Sequence, residues 1–324
     1  MEEQFNPKGW TRNPHLQSIL ASMKIRTIGP NPMMAVSKAV VIDGGDGVRL
    51  QGYHSEHPDR NDRPLILLLH GWEGHSGSAY MLHTGRYFYK KGYDIFRLNF
   101  RDHGDTHSLN PGLFHGALID EVMTAVHRIS TFSRGNPFYI IGFSLGGNYA
   151  LRIALRQGDT PIEGLEQIVA VSPPIDPFNS TLAVDKGLFI YRSYFLMKWK
   201  RSLRKKQVAF PDRYDFRKEL RMSSILEITE SIIRCYSDFG GHRDYFDRYT
   251  LTKAPFASVT VPVTVIIAED DPVIPVEDFR RLGNSSRLKV SIQPHGGHCG
   301  FIDPFPCGCW YERRIEALYR RGRP

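Results

Sequence analysis

The sequence has few cysteines and no long apolar run. Only 4 of its 324 residues are cysteine, too few for the disulfide framework of a small secreted domain. The densest apolar stretch, residues 65–69, is far shorter than the about 20 residues that cross a bilayer. The opening MEEQFNPKGW lacks the basic start and apolar stretch of a secretion signal. We therefore expect a cytoplasmic protein of a reducing compartment, at most peripheral at a membrane surface.

Acidic residues are also scarce relative to basic ones. The 34 Asp and Glu stand against 42 Lys and Arg, which gives a formal net charge of +8. One run that begins at Lys198 and ends at Lys206 holds six basic residues and no acidic one. Such a run is commonly a solvated helix face, and the alternative is peripheral contact with an anionic membrane. Because no nucleic-acid-binding motif accompanies it, we expect no nucleic-acid partner.

Short apolar runs alternate with helix-like segments along most of the chain. Several runs are continuous Val, Ile and Leu stretches, typical of strands buried on both faces; they are residues 39–42, 48–53, 65–70, 93–100, 138–143, 168–172, 263–268 and 289–293. The helix-like segments are residues 79–90, 117–130, 146–156, 276–282 and 310–320. This alternation predicts an α/β fold, with a mostly parallel central sheet and helices on both of its faces.

The alternation is interrupted once, between residue 174 and about residue 261. A crossover between parallel strands needs only about a dozen residues, whereas this segment is several times longer and rich in aromatic, helix-like sequence. We predict three parts. Residues 1–175 form an N-terminal extension and the first part of the core, residues 176–260 form a mainly helical cap, and residues 261–324 complete the core.

Gly142-Phe-Ser-Leu-Gly146 follows a predicted strand and precedes a predicted helix. This is the G-x-S-x-G pattern of a nucleophile elbow in its expected strand–turn–helix context. The flanking glycines allow a tight approach of strand and helix, and the serine hydroxyl is then exposed at a helix N-terminus, which favours negative charge. We predict that Ser144 is a catalytic nucleophile.

Serine is a weak nucleophile without a base, and the base needs an acid to orient it. His298 lies in a glycine-rich loop after the last predicted strand and is the preferred base, with His295 as the competitor. The order Ser, Asp, His along the chain is the one this kind of site requires. Asp271 fits the spacing Asp, three residues, Pro better than Asp270, so we prefer it as the orienting acid.

An acyl-transfer site also needs two backbone N–H groups to stabilise an oxyanion. One comes from the residue after the nucleophile, which is Leu145, and the other from the loop after the third strand. That loop reads His70-Gly-Trp-Glu-Gly74, so Trp72 is the second predicted donor. The indole of Trp72 could line the substrate site at the same time.

Two other groups invite a functional interpretation. Asp102 and His103 follow the fourth strand, but their place in the chain order is wrong for a triad, and we interpret this segment as a structural turn. Cys299, Cys307 and Cys309 lie near the histidines in sequence, but their spacing does not match a zinc motif such as a paired C-x₂-C. We expect no metal and no cofactor.

Several motifs together resemble one family. They are Asn13-Pro-His-Leu-Gln17, His70-Gly-Trp-Glu-Gly74, Asn99-Phe-Arg101, Gly142-Phe-Ser-Leu-Gly-Gly-Asn148, Ser172-Pro-Pro-Ile-Asp176, Asp270-Asp-Pro272 and His295-Gly-Gly-His298. With them, the chain resembles the YheT-like branch of the α/β-hydrolases over nearly its full length. The resemblance implies the α/β-hydrolase fold and a Ser-Asp-His esterase for acyl esters, with some relatives acting on medium-chain lipids.

The leading hypothesis is a hydrolase of short- to medium-chain acyl esters that works through an acyl-enzyme, with a small-molecule ester as its partner. An alcohol O-acyltransferase with the same triad is an alternative, because both reactions share the acyl-enzyme. A non-catalytic scaffold is the alternative from another class. The presence of a nucleophile, a base and an acid in the required order argues against it.

Overall fold

The computed structural model describes residues 4–58, 62–283, 285–305 and 308–321. Its centre is one 8-stranded sheet in the order β1-β2-β4-β3-β5-β6-β7-β8. The strands are β1 (Ser37–Asp43), β2 (Arg49–Ser55), β3 (Leu65–Leu69), β4 (Asp94–Leu98), β5 (Phe138–Phe143), β6 (Leu165–Val171), β7 (Val263–Ala268) and β8 (Leu288–Gln293). The two antiparallel pairings both involve β2, which lies between β1 and β4, and the sheet is parallel from β4 to β8.

Alternate residues of the central strands enter two separate cores. Leu65, Leu67 and Leu69 of β3 pack into one cluster, whereas Ile66 and Leu68 pack into the other. Both faces of this strand are therefore covered, which is why it reads as an unbroken apolar run. The predicted α/β fold, with a mostly parallel sheet and helices on both faces, is confirmed.

Ten α-helices lie within the described ranges. They are α1 (Pro14–Ser22), α2 (Pro32–Ala35), α3 (Ala79–Lys90), α4 (Ile119–Ser130), α5 (Leu145–Arg156), α6 (Pro177–Lys186), α7 (Phe189–Ala209), α8 (Ile225–Tyr236), α9 (His242–Asp247) and α10 (Trp310–Arg321). Helices α3 and α10 pack into one core, and α4 and α5 into the other. Residues 276–282, predicted to be helical, contain the 3₁₀-helix Val276–Arg281.

The segment between β6 and β7 contains four α-helices, α6 to α9. Their apolar side chains join the same core cluster as α4 and α5, so this segment lies on one face of the sheet. Two caps help to define it. Asp176 accepts a hydrogen bond from the Asn179 N–H at the start of α6, and Ser224 accepts one from the Glu227 N–H at the start of α8. Such capping satisfies N–H groups that lack an acceptor in the first turn of a helix.

Helix α7 is anchored to the core through a buried charge. The Lys206 ammonium donates to the Asp102 carboxylate at 2.7 Å and to the carbonyl oxygens of Asn110 and Gly112, each at 2.7 Å. Its side chain is 1% exposed. Three donated hydrogen bonds use the full donor capacity of an ammonium group, so this charge is internally satisfied and does not form part of a solvated helix face.

We predict that Lys206→Met destabilises the fold far more than Lys205→Met. The first change leaves the Asp102 carboxylate buried without its partner, which typically costs about 3–5 kcal/mol. Lys205 pairs with Asp105, whose side chain is 95% exposed, and an exposed pair contributes at most about 1 kcal/mol. Urea unfolding of both variants measures the difference, and equal losses of unfolding free energy would contradict the assignment.

Candidate active site

Ser144 lies in a tight turn between β5 and α5 and has a positive φ of 51°. A Cβ added to Gly142 would lie 2.2 Å from the Gly146 carbonyl oxygen, and one added to Gly146 would lie 2.3 Å from the Leu69 carbonyl oxygen. Strand and helix are thus too close for any side chain at these two positions. The Ser144 N–H donates to the Val171 carbonyl at 2.8 Å, which ties the turn to β6.

The structure brings the three side chains of the predicted triad together. The Ser144 Oγ lies 3.1 Å from the His298 Nε2, and the His298 Nδ1 lies 2.9 Å from the Asp271 Oδ2. The other Asp271 oxygen accepts the N–H groups of Val273 and Ile274 at 2.8 and 3.0 Å. Because these bonds fix the carboxylate, the Nδ1 of His298 carries its proton toward Asp271 and the Nε2 can accept a proton from the serine.

The environment of His298 adjusts its basicity. Burial by itself lowers the pKa of the imidazole, but the negative charge of Asp271 and its hydrogen bond, together with the neighbouring Cys299, outweigh that effect and raise the pKa well above its usual range. The Asp271 side chain is fully shielded from solvent. A shielded carboxylate therefore stabilises the imidazolium form, which a general base must reach during proton transfer.

Asp270 and His295, the two competing candidates, lie outside the hydrogen-bonded chain to Ser144. Asp270 accepts the Gly297 N–H at 2.9 Å, and its second oxygen lies 3.4 Å from the His295 Nδ1. This carboxylate thus holds the backbone of the residue next to His298. The bond indicates a supporting position beside the site for the Asp270–His295 pair.

The N-terminal helix α1 supports the His298 loop from the other side. The Ser18 hydroxyl accepts the His298 N–H at 2.8 Å, and the Gln17 side-chain oxygen accepts the Ile302 N–H at 2.8 Å. A Cβ added to Gly297 would lie 2.3 Å from the Pro14 carbonyl oxygen. Sequence reasoning assigned no role to Ser18 or Gln17. The sequence feature that could have indicated them is the Asn13-Pro-His-Leu-Gln17 motif, which contains Gln17 and directly precedes Ser18.

The two predicted oxyanion donors both lie beside Ser144. Leu145 is the first residue of α5, where N–H groups have no acceptor within the helix. Trp72, Ser144 and Leu145 line one cavity, and a Cβ added to Gly71 would lie 3.0 Å from the Ser144 Cβ. The Trp72 indole stacks on Phe195 of α7 at a centroid distance of 5.5 Å, so this residue also forms part of the cavity wall.

The turn after β4 has different partners from those of a triad. The His103 Nε2 accepts the Glu73 N–H at 3.1 Å, and its Nδ1 donates to the Arg101 carbonyl at 2.7 Å. Asp102 accepts the Phe114 N–H at 2.8 Å in addition to its bond with Lys206. Both side chains thus connect loops.

The cysteines near the C-terminus have separate surroundings. The Cys309 Sγ accepts a hydrogen bond from the buried Arg26 guanidinium at 2.6 Å, and Cys307 lies outside the described residues. Within the described ranges, the side chains of His83, Cys309 and Glu312 place possible ligand atoms within 4.8 Å of one another. The guanidinium competes with a cation there, because it already occupies the sulfur.

A family model described as "Alpha/beta hydrolase family" matches residues 66–306. The chain belongs to the alpha/beta hydrolase family. The match extends from β3 to the segment before α10 and therefore includes every residue of the serine, histidine and aspartate arrangement.

Two named enzymes are also similar to the chain in sequence. The phospholipase ABHD3 of Mus musculus is 26% identical over 268 residues, which are 79% of this chain and 63% of the relative. The monoacylglycerol lipase of Saccharomyces cerevisiae is 21% identical over 288 residues, 84% of this chain and 63% of the relative. The chain thus spans less than two thirds of the length of these two relatives.

A solved structure shows the same fold. The esterase Pf2001 of Pyrococcus furiosus superimposes with a TM-score of 0.56 and 20% identity, over 88% of this chain and 90% of that one. At this identity the likeness concerns the arrangement of strands and helices. It agrees with the alpha/beta hydrolase assignment.

We predict that Asp271→Asn slows the labelling of Ser144 by a fluorophosphonate by about 10⁴-fold, the loss in turnover typical of replacing this acid. Labelling should rise with pH, because only neutral His298 accepts the serine proton. Asp271 raises the pKa of His298, so its replacement should also move the midpoint of that rise to lower pH. Labelling rates measured from pH 5 to 9 test both effects.

Asp270→Asn is the matched control, since it changes an adjacent carboxylate that does not contact His298. We expect a much smaller loss and an unchanged midpoint. A larger effect of Asp270→Asn than of Asp271→Asn would show that the two aspartates have been assigned the wrong way round.

Proposed function

We propose that the protein is a serine hydrolase that cleaves carboxylic acyl esters through an acyl-enzyme. The observation that carries this proposal is the 3.1 Å contact between the Ser144 Oγ and the His298 Nε2, at the point where an apolar cavity and a second, more polar cavity meet. An ester bond lies between an acyl chain and an alcohol, and two cavities with different linings suit these two halves.

The proposed reaction uses each member of the triad once in each half. The His298 Nε2 takes the Ser144 proton as the Oγ attacks the ester carbonyl, and the carbonyl oxygen becomes an oxyanion held by the N–H groups of Leu145 and Trp72. His298 then gives the proton to the alcohol oxygen as the C–O bond breaks. In the second half the same imidazole takes a proton from the water that attacks the acyl-enzyme, and it returns that proton to the Ser144 Oγ as the acyl–oxygen bond breaks and the acid leaves. Asp271 stabilises the imidazolium in both halves.

The apolar cavity suits the acyl chain. It lies between the core and the segment 176–260, which we propose to be a cap, and its apolar lining includes Val184, Ile225, Ile232, Ile233, Phe246, Val273 and Ile274. A buried methylene contributes about 0.8 kcal/mol to binding. A cavity with this lining therefore favours esters of medium chain length over acetates.

The second cavity suits the alcohol half. It shares Ser144, Trp72 and Phe195 with the apolar cavity, and its lining combines aromatic side chains with polar and basic ones that include Lys24, His75, Ser78, Tyr80 and Lys198. Among the described residues that line it, none is acidic. An alcohol rich in hydroxyl groups, or one that carries negative charge, therefore fits this side better than a cation does.

The relatives point in the same direction, because one is a phospholipase and another a monoacylglycerol lipase. We accordingly propose lipid esters as the substrate class, and we place the chain in the YheT-like branch on the motifs that it shares with that branch. The motif residues Gln17 and Asp270 support the proposal, since both hold the backbone of the loop that carries His298.

Contact with an anionic membrane stays a prediction. Four of the six basic residues in the run donate to groups of the protein, and Arg201 and Arg204 are the exposed ones; the donors are Lys198, Lys200, Lys205 and Lys206. Lys205 and Lys206 pair with aspartates, whereas Lys198 and Lys200 donate to uncharged carbonyl groups and keep their charge. Electrostatic attraction would thus depend mainly on the exposed Arg201 and Arg204, with the exposed Met197 one helical turn away. Stronger sedimentation with anionic than with neutral vesicles would support this attraction, and equal sedimentation would contradict it.

Within the described ranges, no helix has the length and apolar content needed to cross a bilayer.

We predict that Ser144→Ala abolishes hydrolysis of p-nitrophenyl esters and leaves the unfolding transition unchanged. The hydroxyl forms the acyl-enzyme, so its removal takes away the nucleophile and no core contact. The measurement is the steady-state release of p-nitrophenol, with a thermal melt of the same preparation. A folded Ser144→Ala variant with near wild-type turnover would refute the mechanism.

We also predict that kcat/KM increases from acetate to octanoate esters, by up to roughly fourfold for each methylene that the apolar cavity buries. Val184→Trp should shorten the preferred chain, because this buried residue lines the cavity. Val208→Trp is the matched control, since Val208 is 82% exposed on α7. A wild-type optimum at acetate would contradict the acyl role of the cavity.

A further inference from the structure

The turn from Gly71 to Gly74 carries the proposed oxyanion donor, the Trp72 N–H. The Gly71 carbonyl oxygen accepts the Gly74 N–H at 2.9 Å and the His70 Nδ1 at 2.8 Å. In a trans peptide the C=O and the N–H point in opposite directions. The two bonds that hold the Gly71 C=O therefore also determine where the Trp72 N–H points.

The next peptides of the turn are held from outside it. The Glu73 carbonyl oxygen accepts the Lys198 ammonium at 3.1 Å. The N–H of the same peptide group belongs to Gly74 and points the opposite way, where it donates to the Gly71 carbonyl. Lys198 thus orients the Glu73–Gly74 peptide, which in turn orients the peptide that contains the Trp72 N–H.

His103 holds the peptide between these two. Its Nδ1 faces the Arg101 carbonyl and must carry the proton, so its Nε2 accepts the Glu73 N–H. Burial lowers the pKa of His103 to about 3, which keeps the ring neutral and able to accept. Glu73 has a φ of 54°, and a non-glycine residue in such a conformation costs of order 1–3 kcal/mol unless its surroundings enforce it.

We propose that helix α7 positions the oxyanion hole through Lys198, with His103 as a second positioning residue. This inference rests on the proposed function. Lys198 lines the second cavity together with Ser144, but the hydrogen bonds of Lys198 and His103 to the turn go to backbone groups of Glu73. Both side chains act through the three peptides of the turn. The proposed cap, to which α7 belongs, therefore also sets the direction of the Trp72 N–H.

The packing of α7 on the turn supports this coupling. Phe195 and Trp199, on either side of Lys198 in the helix, contact the Trp72 indole at centroid distances of 5.5 and 5.1 Å. The Lys198 ammonium also lies 4.8 Å from the centre of the Tyr194 ring. Helix α7 therefore holds the side chain of Trp72 and, one residue further, the backbone of Glu73.

The test compares Lys198→Met with Lys200→Met, using a neutral p-nitrophenyl ester so that charge on the alcohol plays no part. Lys200 lies on the same helix and donates to the Met222 carbonyl, outside the turn. We expect Lys198→Met to lower kcat by about 10- to 100-fold with KM changed less than about twofold, as for a weakened oxyanion donor. Lys200→Met should leave both constants within about twofold.

Inhibitor binding separates positioning from general damage. A trifluoromethyl ketone forms a tetrahedral adduct whose oxygen needs the oxyanion hole, whereas the matching methyl ketone mainly fills the acyl site. We expect Lys198→Met to weaken the trifluoromethyl ketone at least about tenfold and the methyl ketone less than about twofold. Equal weakening of both ketones would overturn the proposal and indicate a merely structural role.

A second pair of variants keeps the test decisive if Lys198→Met is unstable. His103→Gln retains an acceptor for the Glu73 N–H, whereas His103→Leu removes it. We expect glutamine to preserve most of kcat and leucine to reproduce the selective loss of trifluoromethyl ketone affinity. Wild-type kinetics in both His103→Leu and Lys198→Met would overturn the positioning role of Lys198 and His103 and leave the proposed function standing. An inactive wild type that no fluorophosphonate labels would instead overturn the proposed function.

Discussion

The close approach of α5 to β5 and to the end of β3 is the constraint on which the whole site depends. A Cβ at Gly142 would meet the Gly146 carbonyl, one at Gly146 would meet the Leu69 carbonyl, and the serine between the two glycines has a positive φ. The backbone of the nucleophile is thereby fixed, so the other groups of the site are brought to it by the rest of the fold. The strain is tolerable because β5 lies inside the parallel sheet and its turn is bonded to β6, which together over-determine the conformation.

The partners of Ser144 are accordingly held by bonds between distant parts of the chain. Asp270 fixes the backbone beside His298, and Ser18 fixes the His298 N–H itself. On the opposite side of the serine, His70 and His103 link the loops after β3 and β4 as neutral rings. His70 accepts the Phe100 N–H, and His103 accepts the Glu73 N–H. Burial lowers the pKa of both rings, so they hold these loops without adding charge near the nucleophile.

Sequence patterns predicted the sheet, most helices and the residues that converge on Ser144, because these depend on local periodicity, on turn chemistry and on order along the chain. The helix predicted over residues 276–282 is a six-residue 3₁₀-helix that follows Pro275. Lys206 shows what such sequence patterns cannot predict. Its partner Asp102 is 104 positions away, and no local pattern distinguishes a buried ammonium from its solvated neighbours in a basic run.

Sequence patterns also could not predict the residues that hold the backbone around the site. Lys198 acts on a carbonyl 125 positions earlier, and Ser18 on an N–H 280 positions later. A motif can mark such residues as unusual, but only the fold shows which backbone groups they hold. The roles of Ser144, His298 and Asp271 stay proposals, and the contacts that bring them together are properties of the structure.

Helix α1 holds the loop around His298 through Gln17 and Ser18 and contacts α7 through His15, and 14 residues separate its end from the start of β1. The helix is therefore a candidate for peptide complementation. If a chain divided in that connection still folds, its base loop lacks a brace until the helix docks. The rate of ester hydrolysis would then show whether a short peptide that contains α1 binds, and the size of the increase would show how well it docks.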